Sequence, residues 1–267
     1  MVTKTPRPIW RRPSAVRAVM YGLLVVVTLV LVFFADWGKI QRNFFQPEIF
    51  RDMFPEVLTV AAKNTIVYTA IAFLFGFVLA IVLALMKLSS IRPYRWFSTS
   101  YIELFRGLPA LVTIILVAFG LPIAFGWRIP FGTAGKAAVG LGLVAAAYMA
   151  ETIRAGIQAV PRGQMEAARS LGMSTGTAMT FIVMPQAFRI IIPPLTNELV
   201  LLIKDTSLLF VVGTTPASKE LTKFGRDFMT TSINATPLTV IALVYLLITL
   251  PMTSVVRRLE KAAGRGR

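Results

Sequence analysis

Residues 57–86 read VLTVAAKNTIVYTAIAFLFGFVLAIVLALM, an apolar run interrupted by a single charge, Lys63. About 20 such residues in a helix cross the ~30 Å hydrocarbon core of a bilayer. This run is longer than a perpendicular helix needs, so it tilts or projects. Outward from it, five more runs of spanning length fall at 18–35, 97–121, 137–157, 190–212 and 237–256. They predict an all-α transmembrane fold of six helices. Composition agrees: 56% of the 267 residues are apolar and only 15% charged, and the mean hydropathy is +0.71. A bilayer removes the need for the charged exterior that such a chain lacks.

The chain has no Cys and no His. That excludes disulfide frameworks, Cys/His zinc sites, Ser-His-Asp and Cys-His catalysis, and haem ligation by His or Cys. The first run follows Lys4, Arg7, Arg11, Arg12 and Arg17. It is longer than a signal-peptide core and no A-x-A site follows it, so it is read as a retained helix.

The net charge of +16 is a topology signal rather than a nucleic-acid footprint, because Lys and Arg lie between apolar runs without interleaved aromatics. With the N-terminus inside, segments 1–17, 87–96, 154–189 and 257–267 hold 17 basic residues against two acids. Segments 36–56, 121–136 and 213–236 hold 8 against six. The asymmetry places both termini in the cytoplasm and draws the inner face to anionic lipid.

The longest inside segment, 154–189, is too polar to span and too apolar for a plain linker. Within it residues 161–185 read PRGQMEAARSLGMSTGTAMTFIVMP. Pro161 suits a helix first turn and Gly172 a left-handed C′ position. Glu166 stands four residues after Arg162 and three before Arg169, at contact spacing. Met165, Ala168 and Leu171 share one face. Such a short amphipathic helix suits a groove on another protein. A second helix from Ser174 to Met184 begins with Ser174 as N-cap.

Glu166-Ala167-Ala168, then Gly172, Ile182 and Pro185, resembles the "EAA" loop of permeases from binding-protein-dependent ABC importers. Three further blocks resemble the polar amino-acid (histidine/glutamine) branch: YIELFRGLP at 101–109, AYMAETIRAG at 147–156 and NELVLLIKDTS at 197–207. The resemblance covers roughly residues 52–261. Leu108, Ala110 and Thr113 depart from the branch's common residues, and Thr214 to Lys219 is a longer stretch.

The resemblance implies a type I importer core of five helices, here with one extra N-terminal helix and both termini cytoplasmic. The organisation expected is a basic N-terminus at 1–17, the extra helix and external linker at 18–56, the permease domain at 57–256 with its coupling segment at 161–185, and a basic tail at 257–267. It implies a multi-pass inner-membrane subunit that is not itself an enzyme. Partners would be a cytoplasmic ABC ATPase dimer, a second permease, identical or paralogous, and an extracytoplasmic amino-acid-binding protein. ATP and Mg would sit on the ATPase; no phosphate-binding GxxxxGK[ST] loop occurs here, and no cofactor, metal or nucleic acid is expected on this chain. Glu166, Ala167, Ala168 and Gly172 would carry the coupling: the alanines permit close approach and Gly172 the turn.

Ionisable residues inside spans are functional candidates. Lys63, near an outer helix end, snorkels. Glu103 and Arg106, three apart, pair on one face as a gate or anchor, and Glu151 and Arg154 repeat the spacing. The fifth span is interrupted by Pro193-Pro194, and broken helices line transporter cavities. Asn197 and Glu198 follow, then Lys204, Asp205 and Ser207; these are the substrate-path candidates. Glu198 can meet a substrate ammonium and Asn197 either end of an amino acid, against a plainer role in interhelical hydrogen bonding. Lys204 and Asp205 diverge by about 100° on a helix and need separate partners; packing and gating compete with substrate contact. Gly76, Gly120, Gly140, Gly142 and Gly156 mark close helix approach. The alternative function is an ion-coupled secondary transporter with Glu198 or Asp205 as proton carrier, disfavoured by the lack of a clear inverted repeat.

Overall fold

The computed structural model describes residues 13–264. Lys4, Arg7, Arg11, Arg12, Arg265 and Arg267, counted above for topology, lie outside the described residues. The chain forms two units, 1–46 and 47–267.

In the first unit, α1 (Pro13–Phe34) is apolar around its whole circumference. That is the pattern of a helix surrounded by lipid. After two residues comes α2 (Trp37–Phe44), capped by the Asp36 side chain.

The second unit opens with α3 (Pro47–Asp52) and a π-helical turn at Val57–Ala62 that runs into α4 (Lys63–Leu88). Helix α5 (Arg92–Gly107) is followed by α6 (Ala110–Ile115), another π-turn at Leu116–Gly120 and α7 (Leu121–Phe125). Then come α8 (Gly132–Gln158), α9 (Arg162–Ser170), α10 (Thr175–Ala178) and a π-turn at Met179–Val183. Helix α11 (Met184–Asp205) passes into a 3-10 turn at Thr206–Val211, and α12 (Leu221–Ser232) and α13 (Thr236–Gly264) complete the chain. Among the described residues there is no strand. Among the described residues, five helical runs are long and apolar enough to cross a membrane, and six if the bent pair 92–107 and 110–125 counts as one.

That bend corrects one expectation. The third span is not a single helix: its halves meet at 106°. Leu108 is extended (φ −89°, ψ 138°), because the Pro109 ring disfavours helical dihedrals in the residue before it. The fifth span differs too. Pro193 and Pro194 lie inside an unbroken helix, and the helical run extends from Thr175 to Val211. The second helix of the coupling segment therefore does not stop at Met184; it becomes the start of this span.

The core is the α4–α8 pair. Thr65, Tyr68, Thr69, Ala72, Gly76, Ala80, Leu83 and Ala84 form the buried stripe of α4, at the three- and four-residue spacing of one helix face. Opposite it α8 buries Gly142, Ala145, Ala146 and Met149 among others. A β-carbon at Gly76 would sit 2.8 Å from the Gly142 carbonyl oxygen, and one at Gly142 would sit 3.1 Å from the Ala72 carbonyl oxygen. Small residues let the two backbones touch, the usual device of helix association in lipid. Gly140 and Gly156 are likewise closed in by Ile114 and Ile191, whereas Gly120 meets only its own helix at Leu116, so it marks no interhelical approach. A second cluster joins Met53, Val57 and Ala61 to Leu221, Phe224, Val240, Ile241 and Val244.

Candidate functional site

Two ends of the second unit carry the chemistry. At one end stands α9. Pro161 is its N-cap residue, extended at ψ 133°, rather than its first helical residue. The C-terminus closes through two bonds: Gly172 N–H to the Arg169 carbonyl (3.0 Å) and Met173 N–H to the Ala168 carbonyl (3.2 Å). Gly172 sits at φ +86°. This is the pairing of a Schellman motif, which needs a left-handed residue at that place. Ser174 caps the next helix, accepting from the Thr177 N–H (3.2 Å).

Ala168 is buried and Met165 packs on the main core. Leu171 does not share their face; it is 85% exposed, because the chain has left the helix by then. Glu166 and Ala167 face solvent. No ion pair forms among the described residues between Glu166 and Arg162 or Arg169, contrary to the spacing argument. Arg169 instead reaches the Met173 carbonyl at 3.5 Å. Gln186 Nε2 donates to Gln164 Oε1 (3.2 Å), fixing α9 against the start of α11.

Near the C-terminal end of α8, the end that leads into α9, lies an ion cluster. Glu151 pairs with Arg154 through both its oxygens. Lys87 Nζ of α4 also donates to Glu151 Oε2 at 3.1 Å. Arg154 continues to Gln158. The Glu151–Arg154 pair matches its spacing; Lys87 is the member that sequence reasoning counted only as a loop charge. Each of the three side chains is about one quarter exposed or less. Glu151→Ala leaves two facing cations. It should lower stability by about 1–3 kcal/mol, less than the ~3–5 of a fully buried pair, read as the thermal midpoint in detergent. Lys87→Ala should cost less, since Arg154 keeps its partner; the reverse order would remove Glu151 from the centre of the cluster.

The substrate-path candidates occupy two neighbouring stripes of α11. Asn197 and Lys204 are seven residues apart, as are Glu198 and Asp205, and seven residues drift only about 20° around a helix. Asn197 and Lys204 are exposed; Glu198 and Asp205 are half-buried, as is Ser207 in the 3-10 turn. Glu198 lies within electrostatic reach of Asp205 and of Arg106. Arg106 does not pair with Glu103. Its guanidinium lies 5.4 Å from the centre of the Tyr148 ring, a cation–π contact, and Glu103 is exposed. So Arg106 and Asp205 each act on Glu198 through their charge, and Glu103 has no part in that pairing.

At the opposite end the segment after α11 is strapped to α4 and α8. Asn64 Nδ2 donates to the carbonyls of Ala217 and Lys219 (both 2.9 Å). Tyr68 donates its hydroxyl to the Ser218 carbonyl (2.9 Å), and Leu221 N–H donates to Thr65 Oγ1 (3.1 Å). Thr133 Oγ1 donates to Ser218 Oγ at 3.2 Å. Of these, Tyr68, Thr133 and Ser218 also line a cleft of about 500 Å³, together with Thr214 and Thr215. The sequence marks only the stretch Thr214 to Lys219, by its length and with no role; Asn64, Thr65 and Tyr68 in an apolar run are the further signal.

Beside the strap, Glu220 is fully buried and caps α12, accepting from the Thr222 and Lys223 N–H groups (both 2.6 Å). Burial pushes its carboxyl up to about 7 from 4.5, against those two bonds and the Tyr245 hydroxyl, which hold it down. A raised carboxyl pKa adds stability that is complete below about 4.5 and lost as pH rises through about 7. The loss amounts to at most about 3 kcal/mol. Thermal midpoints from pH 5 to 8 should fall for the wild type and show a flatter slope for Glu220→Gln; a wild-type midpoint rising over that window would contradict the assignment.

Among the described residues no cluster of His, Cys, Asp or Glu is placed to hold a metal. Residues 72–265 match the family model described as binding-protein-dependent transport system inner membrane component. The chain is 38% identical over 206 residues to the Probable glutamine ABC transporter permease protein GlnM of Bacillus subtilis (strain 168), covering 74% of this chain and 89% of that protein. It is 36% identical over 197 residues to the Arginine transport system permease protein ArtQ of the same organism, covering 74% and 88%. A solved structure described as "Crystal structure of an amino acid ABC transporter with histidines" superposes with a TM-score of 0.72 at 34% identity, covering 80% of this chain and 96% of that one.

Proposed function

The chain belongs to the family of binding-protein-dependent transport system inner membrane components, and from that premise we propose that it couples ATP hydrolysis on a partner ATPase to the import of polar amino acids. It is a multi-pass membrane permease of an ABC importer. The observation that carries the coupling role is α9: a short helix with Glu166 and Ala167 free on its outer side, a left-handed stop at Gly172, and a braced inner side.

In this reading α9 inserts its outer side into a groove of the ATPase. Ala167 keeps that side low and Ala168 seats the helix on the permease. Glu166 presents an unpaired carboxylate to the partner. Both termini and α9 are cytoplasmic, and the strap faces outward, where a binding protein delivers substrate. Alternating access needs a bistable arrangement whose two states differ in contact with the ATPase. Arg106, Glu198 and Asp205 supply charges of both signs on the path. A zwitterionic substrate can be met by a carboxylate at its ammonium and by the guanidinium or Asn197 at its carboxylate.

The test is co-purification with the ATPase, then ATPase activity in liposomes with binding protein and a panel of amino acids. A stable complex stimulated by one polar amino acid supports the reading and identifies the substrate. A chain that purifies alone and transports without ATP, with uptake collapsed by an uncoupler, would overturn it in favour of an ion-coupled carrier.

A further inference from the structure

Helix α2 lies outside residues 72–265 matched to the family, and its geometry points to a partner of its own. It begins only two residues after the 22-residue apolar helix α1, so it stands where that span leaves the hydrocarbon. Around a helix, Trp37, Ile40 and Phe44 fall within one arc of about 60° and Lys39, Arg42 and Asn43 on the other side. Trp37 is 58% exposed, Phe44 44% and the following Phe45 57%, and Phe33 and Phe34 at the end of α1 are more exposed still. Five aromatic rings therefore cluster at one end of a span.

The joint is fixed. Trp37 Nε1 donates to the Val32 carbonyl at 2.8 Å, satisfying one of the last carbonyls of α1. Asp36 accepts from the Lys39 N–H at 2.9 Å and pairs with its ammonium at 3.1 Å. On the polar side Arg42 Nε donates to the Gly38 carbonyl and Asn43 to the Lys39 carbonyl. An eight-residue helix is marginal in water. An amphipathic helix with aromatic residues on one face and basic residues on the other is suited to the plane of the lipid headgroups.

We propose that α2 lies in the lipid–water interface with Trp37, Ile40 and Phe44 toward the acyl chains, as an elbow that sets the depth and rotation of the first span. The occupant of its apolar face is the bilayer surface, because the two-residue connection to a span leaves that face at the membrane boundary.

The test uses the full chain with W10F, W96F and W127F, so that Trp37 is the sole indole, in phosphatidylcholine vesicles brominated either near the headgroup or near the chain ends. Trp37 emission should be blue-shifted, quenched most by the shallow bromines and shielded from aqueous iodide. Ile40→Lys should restore iodide quenching, and Asn43→Lys on the polar face should not, with insertion of both variants checked by vesicle flotation. Iodide quenching without bromine quenching would put α2 in water. Strongest quenching by the deep bromines would make it an extension of the span. Shielding from both quenchers would mean that protein covers it. Each of these three results overturns the proposal.

Discussion

Gly172→Asp is expected to abolish amino-acid uptake while the protein still reaches the membrane. A β-carbon at Gly172 meets nothing within 4 Å, so the substitution leaves the packing of the permease intact. What it alters is the left-handed turn at φ +86° and the charge at the rim of α9. Asp tolerates the left-handed region better than most residues, so the fold of the isolated chain should lose no more than about 1 kcal/mol. The ATPase, however, would meet a second carboxylate six residues after Glu166, at the stop that positions α9. Gly172→Asn, neutral and equally at home in that conformation, should retain more uptake than the aspartate. Uptake and ATPase stimulation in proteoliposomes read both variants. Normal coupled uptake by Gly172→Asp would sink the assignment of α9 to the ATPase interface.

The second large effect is on stability. Gly76→Ala should destabilise the protein by about 1–3 kcal/mol, the range for overpacking a close-packed interior. The new methyl would lie 2.8 Å from the Gly142 carbonyl oxygen and 3.0 Å from Met149 Cε. Met149 can yield; a backbone carbonyl in the middle of α8 cannot, so the helices must separate. Gly76→Leu should prevent recovery of a monodisperse protein. Gly120→Ala, with no interhelical neighbour in reach, serves as the control and should be silent in the same thermal assay. A silent Gly76→Ala would mean that the helices are not in backbone contact.

The spans were legible because lipid imposes a length and a composition that few other constraints override. Breaks in them were legible only in part. Pro109 carried its signal through Leu108, whose dihedrals it restricts, yet the apolar run around it masked the bend. Pro193 and Pro194 gave the opposite error. Each removes one backbone donor, freeing the carbonyls of Arg189 and Ile190, but within a membrane helix packing keeps the chain helical. At the site, the Gly172 turn was readable because only a local conformation was at stake. Arg106 was not: three-residue spacing offers it Glu103, while the ring of Tyr148, 42 positions along the chain, wins the cation. Lys87 joined Glu151 across two helices, a relation that spacing along one helix does not express. Glu220 and the strap depend wholly on which loop the fold brings beside α4.

The backbone contact between α4 and α8 also sets how force travels. Two rods whose backbones touch at Gly76 and Gly142 have little soft layer there in which to slip, so they would tilt together as one lever. Helix α8 has 27 residues, giving a lever about 40 Å long at 1.5 Å per residue. A rotation of about 5° imposed at the α9 end would sweep the hydroxyl-lined end through roughly 3–4 Å over that length, enough to change which strap hydrogen bonds hold. A small torque at one end of the pair would thus become a displacement of atomic consequence at the other, with no helix having to unwind on the way.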